Sequence, residues 1–357
     1  MNESHFLDLI SGRRRGVVAA MLRGALTLGI PAYGAAVRAR NCLYDMGLRR
    51  IHDAGIPVVS VGNLTTGGTG KTPVVAWAAE WFRSHDVRPC LVSRGYRLLE
   101  AGGNDEQRVL AQLCPQVPHV QNRDRVAAAR IAVRLHDADV VILDDGFQHR
   151  RLARDLDIVL IDTTNPWGYG HLLPRGLLRE LPSALRRADL VVLTRVDQVN
   201  PETLSQVRDD VKQWTDAPLV EAAFRPTRLM SFTGATANVD ALAGRPVAAF
   251  CGIGNPQGFR RTLEQVGMPV EEAAFVTFAD HHHYTSPELR QLAHRAKSQG
   301  AAALVTTQKD LVKLDPKWEA ALPVWAVVIG VEVVSGRDQL ERRLSSYIPE
   351  TVPTDRG

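Results

Sequence analysis

Residues 61–73 read VGNLTTGGTGKTP, a glycine-rich stretch set between an apolar run and a helix-like segment. Gly67, Gly68 and Gly70 free the backbone to turn its N–H groups toward a phosphate, where side chains would obstruct the approach. In this reading Thr65, Thr66, Gly67, Gly68, Thr69, Gly70, Lys71 and Thr72 cradle a nucleoside triphosphate, and we expect ATP. Lys71 reaches the β- and γ-phosphates and the Thr72 hydroxyl ligates Mg²⁺. The strict G-x-x-x-x-G-K-T pattern asks for glycine at position 65, where this chain has Thr65. The plainer alternative is a glycine turn followed by a solvent-exposed lysine.

Such a loop belongs at a strand-to-helix junction, and the surrounding chain supplies the strands. Apolar runs at 56–63, 88–96, 138–146, 157–164 and 189–197 alternate with helix-like stretches. Near-continuous apolar strands are expected in a parallel sheet covered on both faces. The fold expected is therefore α/β: a P-loop NTPase-like, doubly wound, mostly parallel sheet over residues 51–225. A second, smaller α/β domain is expected over 226–347, after a connector around FRPTRLMSFTG, with strands near 245–256, 275–285, 302–310 and 324–333. The tail from 348 to 357, with its prolines, is expected to be disordered.

The chain carries a net charge of +4, and its distribution is uneven. The first fifty residues hold eight arginines against three acids, a net of +5, which leaves 35 basic and 36 acidic residues elsewhere. This segment (1–50) is apolar between its charges, its longer uncharged run being the 14 residues from Gly24 to Val37. A spanning helix needs roughly 20 residues, and Pro31 is expected to interrupt this one. Basic flanks around an apolar helix suit an interfacial, membrane-associating segment, because cations meet anionic headgroups while the apolar face enters the acyl boundary. A buried core helix is the alternative. Nucleic-acid binding has little support, since the basic excess is confined to this terminus and lacks interleaved stacking aromatics. The four cysteines form no C-x-x-C pair, so a reduced, cytosolic-side compartment fits.

A phosphate loop also needs a carboxylate at the end of a neighbouring buried strand, to hold the metal or its waters. VVILDDG ends in Asp144 and Asp145, and with the loop beside them we read both as metal ligands. Taken alone, a strand-ending aspartate is more often a turn residue or helix cap.

Five motifs in order, VGNLTTGGTGKTP, LDDGFQHRRL (143–152), LLPRGLLREL (172–181), AFCGIGNPQGF (249–259) and FADHHHY (278–284), together resemble the tetraacyldisaccharide 4′-kinase family of lipid A biosynthesis. The resemblance implies transfer of the γ-phosphate of ATP to the 4′-hydroxyl of a tetraacylated glucosamine disaccharide 1-phosphate. It implies an enzyme working at the cytoplasmic face of the inner membrane, with an acylated disaccharide lipid as substrate; no obligate protein partner is evident in the sequence.

A sugar hydroxyl is a poor nucleophile, so a positioned base should take its proton. In the family this looks like an acid in a G-D-E-P loop supported by a histidine of the D-H-H segment. Here the loop reads GGNDEQR, with Asn104 and Gln107 where the family has Gly and Pro. The resemblance thus puts Asp105 at the base position, Glu106 beside it, and His281 as orienting partner with His282 as competitor. Asp105 and Glu106 otherwise read as a solvated acidic loop, and the three histidines as a solvated run or adventitious metal ligands. A dyad of residues 105 and 281 implies an interdomain cleft with domain closure.

Gln148 and His149 are candidates for touching nucleotide, metal or acceptor, or for closing the turn after the aspartates. Arg179 and Glu180 could bind headgroup or metal, or pair with each other within the loop. Arg123 and Arg125 could clamp phosphate, or simply lie on a helix surface. TTQKDLVKL (306–314) has Gln308 where the family commonly shows Glu, and we assign it no catalytic role. Two other functions compete: a membrane-associated P-loop ATPase acting as a conformational switch, which needs no base partner, and a soluble small-metabolite kinase, which leaves the basic apolar terminus unexplained.

Overall fold

The apolar runs become strands in a computed structural model, which describes residues 3–95, 105–280, 282–315 and 318–349. The chain divides into two compact units, one comprising Met1–Ala101, Cys114–Ala223 and Val331–Gly357, the other Gly102–Leu113 and Phe224–Gly330.

In the first unit the strands are β1 (Val58–Asn63), β2 (Pro89–Ser93), β3 (His119–Gln121), β4 (Val140–Asp144), β5 (Leu156–Asp162), β6 (Leu190–Thr194) and the start of β7 (Leu219–Ser231). They are ordered β7-β6-β5-β1-β4-β2-β3. Every pairing among them is parallel. β1, β2, β4 and β6 are buried along their whole length, which is why their sequences are continuous apolar runs rather than alternating ones. β1 lies between β4 and β5, and its register sets Val61 opposite Asp144. Helix Lys71–Arg83 buries Val74, Val75, Ala78, Ala79 and Phe82, a three-to-four spacing that makes one apolar face. That face packs on β1, β2 and β4, so the helix N-terminus stands at the carboxyl ends of the strands.

The second unit carries the remainder of β7 with β8 (Thr236–Asn238), β9 (Val247–Cys251), β10 (Phe275–Thr277), β11 (Ala303–Thr307) and β12 (Val324–Ser335). Its order is β10-β9-β11-β12-β7, with β8 antiparallel against β7. β9 is paired in parallel with both β10 and β11. Helix Ser286–Ser298 starts at a capping box, Thr285 accepting from the Glu288 N–H while Glu288 reaches back to the Thr285 N–H.

Four expectations from the sequence are corrected. The supposed connector near 226 is the middle of β7: Val220, Ala222, Ala223, Leu229 and Met230 are buried, and their pairing overrides the punctuation signalled by Pro226 and its arginines. Residues 105–113 belong to the second unit, and residues 331–349 to the first. Pro31 does not interrupt its helix, which runs unbroken from Val17 to Asp45 over 29 residues. Tertiary contacts offset the lost N–H: Ile30 and Tyr33 pack against a core containing Leu64, Phe147 and Leu172. By length and composition this helix is therefore sufficient to cross a membrane, contrary to the shorter apolar run counted in the sequence. Of the tail expected to be disordered, 348–357, residues 350–357 lie outside those described.

Candidate active site

The loop after β1 is held open by its neighbours rather than by its glycines alone. The Thr66 N–H donates to the Leu177 carbonyl at 2.8 Å, and the Arg179 N–H to the Leu64 carbonyl at 2.7 Å. Thr65 is 7% exposed, bridges antiparallel to Leu178 and keeps a negative φ, which is why threonine can stand where the strict pattern has glycine. Left-handed backbone is needed later, at Gly67 (φ +107°) and at Gly70 (φ +87°), which caps helix Lys71–Arg83. Gly67 and Gly68 are exposed at the tip, and Thr69 is buried, its carbonyl accepting from Thr194 Oγ1 at 3.1 Å. Arg195, left-handed at φ +57°, ties Gly68 to the strand ends by donating to its carbonyl at 2.6 Å and pairing with Asp162.

Lys71 begins the helix and turns back over this loop. Its Nζ donates to Asn63 Oδ1 at 3.2 Å and lies 3.5 Å from Asp145 Oδ1. Asn63 is fully buried and donates from Nδ2 to Thr69 Oγ1 at 3.0 Å, so one side chain orients both the lysine and the loop. Thr72 follows on the first turn, half-buried. Asp144 ends β4 at 8% exposure, beside β1. Asp145 leaves the strand with φ +55°, a conformation costing roughly 1–2 kcal/mol in a residue with a Cβ. That turn delivers its carboxylate to Lys71 and to Arg179, whose Nη1 donates to both oxygens at 2.7 and 2.8 Å. Burial pushes the Asp145 carboxyl up, but Lys71 and Arg179 together outweigh it and hold it below the ordinary carboxylate value.

Gln148 is in the site: Nε2 donates to the Asn63 carbonyl at 2.9 Å, and Oε1 lies 3.4 Å from Arg179 Nη1. His149 closes the turn, its N–H donating to the Gly146 carbonyl at 2.7 Å. Burial, then Arg125 and Arg154, push the His149 imidazole down to about 4, so it is neutral. Arg125 is 4% exposed and so is not a helix-surface residue.

Arg179 and Glu180 do not pair with each other. Glu180 is 1% exposed and bound to Arg40 at 2.7 Å, Arg187 at 2.6 Å and Asn41 at 3.2 Å. A headgroup or metal role for Glu180 therefore gives way to an anchoring one: Arg40 and Asn41 lie on helix Val17–Asp45, whose Tyr33 also donates to the Arg179 carbonyl at 3.0 Å.

In the second unit Asp105 opens helix Asp105–Leu113, partly buried and 3.7 Å from Lys313 Nζ, rather than in a solvated loop. Glu106 is exposed. His282 stacks on Phe278 with ring centroids 4.6 Å apart, and its Nε2 lies 3.3 Å from Glu288. His281 lies outside the described residues. Among those described, no three His, Cys, Asp or Glu side chains gather as a metal site. Reading the sequence missed Asn63, Arg195, Arg40, Arg187, Asp310 and Lys313. Asn63 alone left a signal, as the polar residue that ends a mostly apolar strand immediately before the loop.

A glycine loop capping a helix N-terminus, a lysine folded back over it and paired acids ending the next strand define a P-loop phosphotransferase on a doubly wound sheet. Residues 26–349 match the family model described as tetraacyldisaccharide-1-P 4′-kinase. The tetraacyldisaccharide 4′-kinase of Anaeromyxobacter dehalogenans (strain 2CP-C) is 41% identical, over 95% of this chain and 94% of that one. The protein of that name from Geobacter sulfurreducens is 38% identical over 90% and 92%. Among solved structures, LpxK from Aquifex aeolicus in complex with ATP is similar with a TM-score of 0.75 and 32% identity, covering 92% of this chain and 100% of that one. The chain belongs to the tetraacyldisaccharide-1-P 4′-kinase family.

Proposed function

We propose that this protein transfers the γ-phosphate of ATP to the 4′-hydroxyl of a tetraacylated glucosamine disaccharide 1-phosphate in lipid A biosynthesis. The observation that carries it is Lys71 at the helix N-terminus, held between Asn63 and Asp145, in a chain that matches this kinase family from residue 26 to 349.

The N–H groups of residues 66–71 and the helix N-terminus take the phosphates, and the Lys71 ammonium turns from Asp145 to the β- and γ-oxygens. Asp144 and Thr72 fit Mg²⁺, because a carboxylate and a hydroxyl are the hard oxygen donors this ion takes, and register sets Asp144 beside the loop strand. Asp145 completes that set once Lys71 and Arg179 engage phosphate. When bound, Mg²⁺ neutralises charge on the transferring group. Asp105 is the base that takes the sugar proton, with His281 as its orienting partner; the engagement of His282 with Phe278 and Glu288 supports that choice.

The acceptor is a membrane lipid, and helix Val17–Asp45 suits its surface. Val17, Met21 and Leu28 are 77%, 70% and 82% exposed, beside Arg13, Arg14 and Arg15. We place the enzyme on the cytoplasmic face of the inner membrane, where ATP is available. The test is transfer of radiolabelled γ-phosphate by purified protein with Mg²⁺, detergent micelles and the tetraacylated disaccharide 1-phosphate. Label in the lipid supports the kinase; label released only as inorganic phosphate supports an ATPase switch instead.

A further inference from the structure

Helix Asp105–Leu113 is clamped to the segment after β11. Arg108 Nη1 donates to the Val312 carbonyl at 2.8 Å. Leu113 packs against a core that includes Leu311 and Leu314. This clamp brings Asp105 to Lys313, whose side chain is only 3% exposed. A lysine so buried needs counter-charge, because an uncompensated ammonium out of water is costly. Two carboxylates supply it: Asp310 at 3.3 Å and Asp105 at 3.7 Å.

Asp310 is itself fully buried and fixed on its other sides. Tyr284 donates to its Oδ1 at 2.9 Å, and Thr307 Oγ1 to its Oδ2 at 2.7 Å. Burial and then the neighbouring Asp310 push the Tyr284 hydroxyl far above its ordinary value, so it remains a donor to that carboxylate. Tyr284 ends the FADHHHY segment, where its ring meets Phe278 and His282 edge-on with centroids 5.2 and 5.0 Å apart. One chain of contacts thus runs from the histidine segment through Tyr284, Asp310 and Lys313 to Asp105.

We infer that Asp310 and Lys313 form a positioning bracket that fixes the Asp105 carboxylate relative to the histidine segment, with Lys313 as its contact to Asp105. The inference rests on Asp105 being the base in the proposed kinase reaction. It gives a role to TTQKDLVKL, a segment expected to have no catalytic role, and it explains the burial of a lysine there. Without Lys313, Asp105 loses the contact that ties it to Asp310, and its carboxylate is held less closely in place.

The test measures kcat and the KM for ATP in the labelled-transfer assay for the wild type and for Asp105→Ala, Lys313→Met, Lys313→Arg and Asp310→Asn. It adds the double variant of Asp105→Ala with Lys313→Met. The expected result is a kcat loss on the order of 10- to 100-fold for Lys313→Met, the scale of an approximately 1 Å misplacement. KM for ATP should hold within about threefold, and Lys313→Arg should recover most of the rate, which a purely structural role does not predict. The double variant should be no slower than Asp105→Ala alone. Should Lys313→Met show no folding transition, Asp310→Asn is read instead; it keeps the shape, weakens the pin and should lower kcat in the same way. An impaired Asp105→Ala beside a Lys313→Met that turns over at the wild-type rate, or losses that multiply in the double variant, overturns the bracket alone. A fully active Asp105→Ala removes the base reading and the bracket with it.

Discussion

The Arg179 guanidinium holds both oxygens of Asp145 through a single nitrogen, at 2.7 and 2.8 Å, while Lys71 stands 3.5 Å from one of them. The lysine proposed to meet the phosphates is thus paired with the carboxylate proposed to meet the metal. ATP has to displace this pairing to bind, so before nucleotide arrives the site balances its own charge.

That exchange makes Asp145→Asn and Lys71→Ala behave differently. Lys71→Ala removes a cation from the γ-phosphate, and kcat should fall by at least about 100-fold. Asp145→Asn should also lose transfer on that scale, yet it removes a competitor for Lys71 and a negative charge facing the triphosphate. ATP binding in the presence of a chelator should therefore be retained or tightened, as calorimetry can measure. If Asp145→Asn abolished metal-free binding, the carboxylate would be part of the nucleotide cradle and not its competitor.

Glu180 is a stability residue in spite of its place one position from Arg179. Its carboxylate is the shared counter-ion of Arg40 and Arg187, and Arg187 also lies over the Phe147 ring at 4.5 Å. Glu180→Ala leaves a buried guanidinium uncompensated, and we expect a loss of about 3–5 kcal/mol. Thermal unfolding checks this, and Glu180→Gln should cost less. An undisturbed melting curve accompanied by a changed Mg²⁺ requirement would return Glu180 to the metal site.

The glycine loop between strand and helix, the alternation of strand and helix and the two acids at the end of β4 were all legible, because each is local: glycine spacing, apolar runs and a strand end. What was not legible is long-range. Glu180 meets Arg40 across 140 residues, and Asp105 meets Lys313 across more than 200. No local pattern marks an arginine as the partner of a distant acid. Pro31 misled for a related reason, since the packing of Ile30 and Tyr33 that keeps its helix whole is set by residues beyond position 60. β7 was missed because its middle carries Arg225, Pro226 and Arg228, whereas its burial is decided by neighbouring strands.

Helix Val17–Asp45 has one face committed to protein and another left apolar in water. Tyr33, Arg40 and Asn41 bind the 179–180 segment, whereas Met21 and Leu28 are largely exposed. Met21→Asp and Leu28→Asp should each weaken binding to anionic vesicles by about tenfold or more, since burying such a side chain is worth roughly 1.5–3 kcal/mol. Their melting temperatures should not change, because neither side chain contributes to the core. Cosedimentation with vesicles at fixed salt measures this, and unaltered partition of both variants would count against the apolar face as the membrane contact.

Two imidazoles make stability depend on pH. Burial pushes His119 down to about 4, and burial with Arg125 and Arg154 does the same to His149. In the unfolded chain each titrates near 6.5. Between those values the unfolded state binds more protons than the folded one, so stability is flat above about pH 6.5 and declines as the pH falls toward 4. The melting temperature should therefore drop between pH 7 and pH 5, and His119→Asn or His149→Asn should drop less over that interval even if it starts lower. Parallel curves for the wild type and both variants would mean that these rings take up protons without leaving their places. Because His149 is neutral across the range in which transfer is measured, replacing it should leave the shape of the kcat profile near neutrality as it is.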